Sequence, residues 1–211
     1  MSNLLCLEWG MSQKPKLILG TANFGLKAYG QLSEPLSMND ISFILDYARK
    51  HGISLLESSE LYDCDVALGR QEFDLIYKVK HPYNLDRIME KLGRSSLLGL
   101  LYHHGYNTFK QEVRKDARVQ YNGASVYHKD QLVGTEGMIE VPLNLENREF
   151  ENTVYPCKIV RSVFGRGELL KRYTVKECLN YVKHNSTIHG VIVGVDSIKQ
   201  LEEICRIWNE D

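Results

Sequence analysis

The chain has 211 residues, 43% hydrophobic and 25% charged, with 26 Lys and Arg against 27 Asp and Glu. That length suits one domain with a proper core, and the net charge of -1 removes the electrostatic case for nucleic acid as the main partner. No apolar run reaches the length of a membrane span, the start lacks a signal peptide's basic and apolar regions, and the five cysteines show no zinc spacing. The expectation is a cytoplasmic protein without a metal.

Lys16–Gly20 is an apolar run closed by glycine, the expected first strand, and Thr21–Gly25 a loop. Ser37, with Asp40 three positions on, caps a helix faced by Ile41, Ile44, Leu45 and Ala48 and ended by Gly52. Ile53–Leu56 reads as a buried second strand with Glu57 at its tip and Tyr62 in the polar loop beyond. Around Val66–Leu68 there is room for barely a turn of helix. Phe73–Val79 is the third strand, and Asn84 caps a helix with Leu85, Ile88 and Leu92 inward.

Leu97–Tyr102 is the fourth strand, closing on His103 and His104, and Asn107–Lys115 is a polar segment with weak helical character. Gly123–Tyr127, Met138–Pro142 and Cys157–Val163 are strands five to seven. Thr174 and Glu177 form a capping box for a helix with Val175, Cys178, Leu179 and Val182 inward. Val191–Gly194 is the eighth strand, and Ser197 with Gln200 opens the last helix, faced by Ile198, Leu201, Ile204, Cys205 and Trp208.

Strands that alternate with helices predict a parallel sheet, because each parallel pair needs a crossover. Eight such units in one domain predict an α/β fold closed into a (β/α)8 TIM barrel. At roughly 26 residues a unit, against about 31 in a barrel of ~250 residues, it is a miniature barrel with several shortened helices. The barrel domain is expected over 13–211, with 1–12 an N-terminal extension. Helices cut down after strands two, five and six would leave apolar barrel surface to cover, so a homo-dimer is an expected arrangement.

Catalytic groups of such barrels stand at the C-terminal ends of strands. Glu57, Tyr62, Lys78 and His103 reach that face from three successive strands. Lys80 points the same way as Lys78, but spacing after the apolar run favours Lys78; His103 and His104 point to opposite faces. The remaining histidines, His51, His81, His128, His184 and His189, lack ligand spacing. A phenol gives up its proton poorly at neutral pH. A lysine beside it stabilises the phenolate, a carboxylate holds the lysine, and an imidazole can orient a substrate oxygen. These parts suit proton donation to a carbonyl while hydride arrives from a nicotinamide.

The residues resemble the aldo-keto reductase superfamily. Leu19–Gly25 with Tyr29-Gly30 is similar to the family's opening loop, and Glu57–Tyr62 with Leu68-Gly69-Arg70 to its tyrosine segment. Gly99–His103, Gly123–Tyr127, Ile139–Asn144, Arg161–Phe164 with Gly167–Leu170, and Val193–Ser197 follow in the family's order. The resemblance implies Tyr62 as proton donor, Lys78 as its partner, His103 as the orienting imidazole, and Glu57 in an aspartate's place.

The same resemblance implies NADP(H) or NAD(H) as cofactor. Ser125 and Glu140 would lie near its carboxamide, where the family commonly has serine and glutamine. Arg161 stands where many members stack a tyrosine, and Ser162 and the turn Gly194–Ser197 would meet phosphates. Gly20, Thr21 and Phe164 join this set, and Gln200 replaces an arginine often used for the 2′-phosphate. The implied activity is reduction of a small-molecule aldehyde, ketone or sugar-type carbonyl. Two alternatives stand beside it: an inactive barrel of this family that binds cofactor or a protein, and a barrel enzyme of unrelated chemistry.

Overall fold

The computed structural model describes residues 14–69, 72–80, 82–103, 116–132, 135 and 137–210. Eight parallel strands close in chain order: β1 (Lys16–Gly20), β2 (Leu55–Ser59), β3 (Asp74–Val79), β4 (Leu97–His103), β5 (Val119–Ser125), β6 (Met138–Pro142), β7 (Cys157–Arg161) and β8 (Gly190–Val193), with β8 bonded back to β1. Among the described residues the helices are a single turn α1 (Ala22–Gly25), then α2 (Met38–Lys50), α3 (Leu85–Leu92), α4 (Val175–Lys183) and α5 (Ile198–Asn209). The (β/α)8 barrel expected from the alternation is the observed fold. Among the described residues no helix is long and apolar enough to cross a membrane. Residues 1–12, 107–115, Arg70 and His104 lie outside the described residues.

The helix starts follow from side chains that accept the first orphan amides. Ser37 accepts from Asp40 N–H, Asn84 from Arg87 N–H and Ser197 from Gln200 N–H, and Thr174 with Glu177 completes a capping box. Only β1 and β6 keep the expected bounds, and β2 and β5 depart from them most. β2 begins at Leu55 because Ile53 N–H still bonds Ala48 O, 3.0 Å away, in the exit from α2. β5 begins at Val119 because Val119 and Tyr121 are buried while Gln120 is exposed, an alternation that its polar outer residues obscure.

Where helices are missing, other segments cover the barrel. A 3-10 turn, Asp65–Leu68, follows β2, and Arg94 of the α3–β4 link clamps it by donating to Leu68 O and Phe73 O. Another, Lys129–Leu132, follows β5. After β6 the chain runs 143–156 without a helix, but Leu143 and Phe150 are fully buried in the cluster that contains Ile139, Val141 and Val160. Lys158 points outward from β7 and donates to Phe150 O at 3.0 Å and Thr187 Oγ1 at 2.5 Å, fastening that segment. After β6 the segment 143–156 therefore covers part of the barrel.

Strand alternation positions the site. Side chains of one parity on every strand point into the barrel, and the lower ones form an apolar plug of Ile18, Leu55, Ile76, Leu101, Tyr121, Met138, Cys157, Ile159 and Ile192. Two residues further along the same strands come Gly20, Glu57, Lys78, His103, Glu140, Arg161 and Gly194. The plug ends and a polar layer begins.

Candidate active site

Tyr62 enters this layer from the loop after β2. Its N–H bonds Ser59 O at 2.9 Å, turning the chain back over the barrel mouth, and Asp63 follows in a left-handed conformation, φ 49°. Gly25, at the end of α1, packs so closely beneath that a Cβ there would lie 1.7 Å from Tyr62 O. The Tyr62 side chain is buried with its phenol on the Lys78 ammonium, Nζ to Oη 2.8 Å. Lys80, by contrast, is exposed, and its N–H donates to the Glu60 carboxylate.

Lys78 meets two carboxylates. Glu57 Oε1, from the neighbouring strand, lies 2.5 Å from Nζ, and Glu140 Oε1, from β6 across the barrel, lies 3.0 Å away. That oxygen of Glu140 also accepts from Ser125 Oγ at 3.0 Å and faces Arg161 Nε at 3.2 Å. Arg161 in turn donates to Val126 O at 3.2 Å and stacks its guanidinium 4.2 Å over the Tyr127 ring. Two anions and two cations thus sit together, with Glu57, Lys78 and Glu140 almost wholly removed from water.

Burial and pairing set their proton affinities in different directions. Burial pushes the Glu57 carboxyl up to about 7, with Lys78 opposing and Glu140 adding. For Glu140, burial acts against the carboxylate, but Lys78 and Arg161 outweigh it and hold its pKa below the usual range. Burial disfavours the Lys78 ammonium, yet Glu140 and Glu57 outweigh it and keep the lysine well above its ordinary value. Burial, with Glu57 adding, raises the Tyr62 phenol above its normal range despite Lys78. A lysine neighbour alone would lower that phenol, as the sequence led one to expect; two carboxylates and desolvation reverse the direction.

A cavity of about 550 Å³ opens over this cluster. Of the residues expected from sequence, Gly20, Glu57, Tyr62, Lys78, His103, Arg161, Ser162, Phe164, Gly194 and Gln200 line it. His103 Nδ1 stands 3.5 Å from Ser59 Oγ. Ser125 and Glu140 are fully buried at the inner wall and do not line the cavity. Thr21 is also buried, 3.6 Å from Cys64 Sγ through its hydroxyl, and Ser197 caps α5. The Asp196 N–H, in the turn where phosphates were expected, donates to Gln200 Oε1 at 2.7 Å.

Other lining residues were not singled out from sequence. Asn23 donates to Val195 O at 3.0 Å and to the Asp196 carboxylate, tying the β1 loop to the β8 loop. Arg166, at φ 59°, lays its guanidinium 5.1 Å over the Tyr29 ring, joining the β1 and β7 loops across the cavity. Asn23 stands inside a motif already noted, Thr21–Gly25, and could have been found there. Arg166 carries no spacing signal, since its place depends on a kinked 3-10 segment, Gly165–Lys171.

No family model and no curated protein matches the chain in sequence. Solved structures do match it in shape. A Pseudomonas aeruginosa protein assigned to the aldo-keto reductases superposes with a TM-score of 0.74 at 18% identity, over 91% of this chain and 88% of that one. The holo form of an aldo-keto reductase from Bacillus halodurans gives 0.72 at 16%, over 93% and 87%. A glycerol dehydrogenase from Gluconobacter oxydans gives 0.70 at 12%, over 92% and 86%. This chain has the barrel fold of the aldo-keto reductases.

Proposed function

We propose that this chain is an aldo-keto reductase that reduces an aldehyde, ketone or sugar-type carbonyl with NADP(H) or NAD(H), Tyr62 being the proton donor. The observation that carries the reading is the Lys78 Nζ to Tyr62 Oη contact of 2.8 Å at the cavity, with Glu57 on the lysine's other side. The fold shared with known reductases is consistent with it.

The residues present fit a nicotinamide dinucleotide. Arg161 and Arg166 bring positive charge to the cavity and Ser162 a hydroxyl. Gly194 leaves open floor, since an added Cβ would meet no atom within 4 Å. Glu140 Oε2, without a hydrogen-bond partner among the described residues, is buried behind the cavity lining and not in it. Gly20, Phe164 and Gln200 would complete the walls. When bound, the cofactor supplies the hydride.

The chain's own residues handle the proton and the substrate. His103 lines the cavity with Tyr62 and would orient the carbonyl oxygen toward the phenol. Because Tyr62 titrates above the ordinary phenol range, it keeps its proton at neutral pH and is ready to donate. The oxygen becomes strongly basic as the carbon is reduced, so transfer from even a weakened acid is downhill. Lys78 then faces the phenolate, and its positive charge stabilises that product.

Calorimetric titration of the purified protein with NADH and NADPH tests the reading. Saturable binding of at least one, with turnover of 4-nitrobenzaldehyde in its presence, is expected. Absence of binding by either would remove the reductase assignment, and binding without turnover of any carbonyl would leave a cofactor-binding barrel.

A further inference from the structure

The geometry points to Glu140 as a positioning residue for Lys78: the carboxylate that fixes the ammonium against Tyr62 from the opposite wall of the barrel. This rests on the reading of Tyr62 and Lys78 as the proton-delivering pair. The resemblance in sequence places Glu140 beside a cofactor amide, as an acceptor. The structure gives its Oε1 three other neighbours, Lys78 Nζ at 3.0 Å, Ser125 Oγ at 3.0 Å and Arg161 Nε at 3.2 Å.

Lys78 springs from β3 and Glu140 from β6, three strands around the ring. A lysine side chain has many rotamers and loses much freedom when fixed, so its terminal group needs more than one partner to hold it in one place. Glu57 grips it from the adjacent strand and Glu140 from the far side, and Tyr62 receives its remaining hydrogen bond. Ser125 and Arg161 hold the Glu140 carboxylate itself, and Arg161 is braced by Val126 O and the Tyr127 ring. That chain of contacts passes from the Tyr127 side of the cavity to the phenol without using Glu57.

The division of labour between the two carboxylates follows from their surroundings. The titratable and charged groups on this inner wall are Glu57 from β2, Tyr62 from its loop, Lys78 from β3, His103 from β4 and Arg161 from β7. Glu140 has two cations on one oxygen and stays ionised; Glu57 has one cation and takes up a proton near neutrality. Lys78 therefore keeps an ionic partner whichever state Glu57 is in, and the departure from aspartate at Glu57 is tolerable because Glu57 does not act alone.

The test is the pH profile of kcat/KM for 4-nitrobenzaldehyde in the wild-type protein, Glu140→Gln, Glu140→Leu and Tyr62→Phe. Glu140→Gln keeps the size and an acceptor but removes a negative charge that raises Glu57 and Lys78. The acid limb of its profile, where Glu57 titrates, is expected to move to lower pH by roughly one unit, the scale of a charge removed within ~4–6 Å. Glu140→Leu, which cannot grip the lysine, should lower kcat about tenfold or more.

A Glu140→Gln profile that superposes on the wild type, with Tyr62→Phe inactive, would overturn the positioning role and leave the reductase reading intact. Turnover that survives Tyr62→Phe removes both. If the Glu140 variants do not fold, the wild-type protein decides, labelled at its glutamate side-chain carboxyls and titrated by NMR from about pH 5 to about pH 9. Glu140 is expected to stay ionised throughout while Glu57 titrates; the reverse assignment refutes the proposal.

Discussion

At the top of the barrel one ammonium serves two carboxylates, and the difference between them is measurable. Glu57 is buried and raised to about 7 from an ordinary 4.5. In the folded protein it keeps its proton up to that pH, whereas the unfolded chain releases it earlier. Between about 4.5 and about 7 the folded state binds more protons, so this residue's contribution to stability falls as pH rises. Glu57→Gln is therefore expected to flatten the loss of urea stability between these pH values. The effect reaches up to about 3 kcal/mol, at ~1.4 kcal/mol for each tenfold difference in proton affinity between folded and unfolded chains. Identical slopes in the two proteins would contradict the Glu57 assignment.

Much at this scale was legible in the sequence, for a local reason. Tyr62, Lys78 and His103 lie near the ends of apolar strands, so spacing placed them at one face, and the resemblance chose His103 over His104. What lies across the barrel is not local. Glu140 could be placed on β6, but nothing in its neighbourhood reveals that Lys78 reaches it from β3. The direction in which the Tyr62 phenol moves escaped for the same reason, since it depends on burial and on a second carboxylate.

Elements carry the site through close approach as much as through alternation. Gly25 ends α1 directly beneath the Tyr62 backbone, with no space for a side chain: an added Cβ would overlap Tyr62 O at 1.7 Å. The Gly25→Ala variant must push the tyrosine loop outward. A displacement of ~1 Å at a reacting group costs on the order of 100-fold in rate, while overpacking costs about 1–3 kcal/mol in stability. We expect kcat to fall by that order with a folded protein of modestly reduced Tm, measured by steady-state kinetics and calorimetry. Wild-type kcat would show that the Tyr62 loop is not held from below. Strand boundaries were legible where a short buried run is sharply bounded, as at β1 and β6. They slipped at β2, where Ile53 still belongs to the α2 exit, and at β5, where Gln120 and Asn122 interrupt the apolar run.

The whole molecule shows how a short chain can close a full barrel. Helices are replaced by 3-10 turns and by the segment 143–156, and a buried side chain fastens two of these: Arg94 at the turn after β2, Lys158 at the segment after β6. Those fasteners are single basic residues without periodicity, so sequence patterning shows the missing helices and not their replacement. Among the described residues the C-terminal mouth carries the Glu57, Tyr62, Lys78 and His103 layer under a cavity of about 550 Å³. In the proposed function this mouth transfers a proton from Tyr62 to a carbonyl. Turnover of 4-nitrobenzaldehyde by Tyr62→Phe, measured beside cofactor affinity, tests it most directly. The expected result is a fall in kcat of about 100-fold or more, the scale of a lost general acid, with cofactor Kd nearly unchanged; turnover equal to the wild type would contradict it.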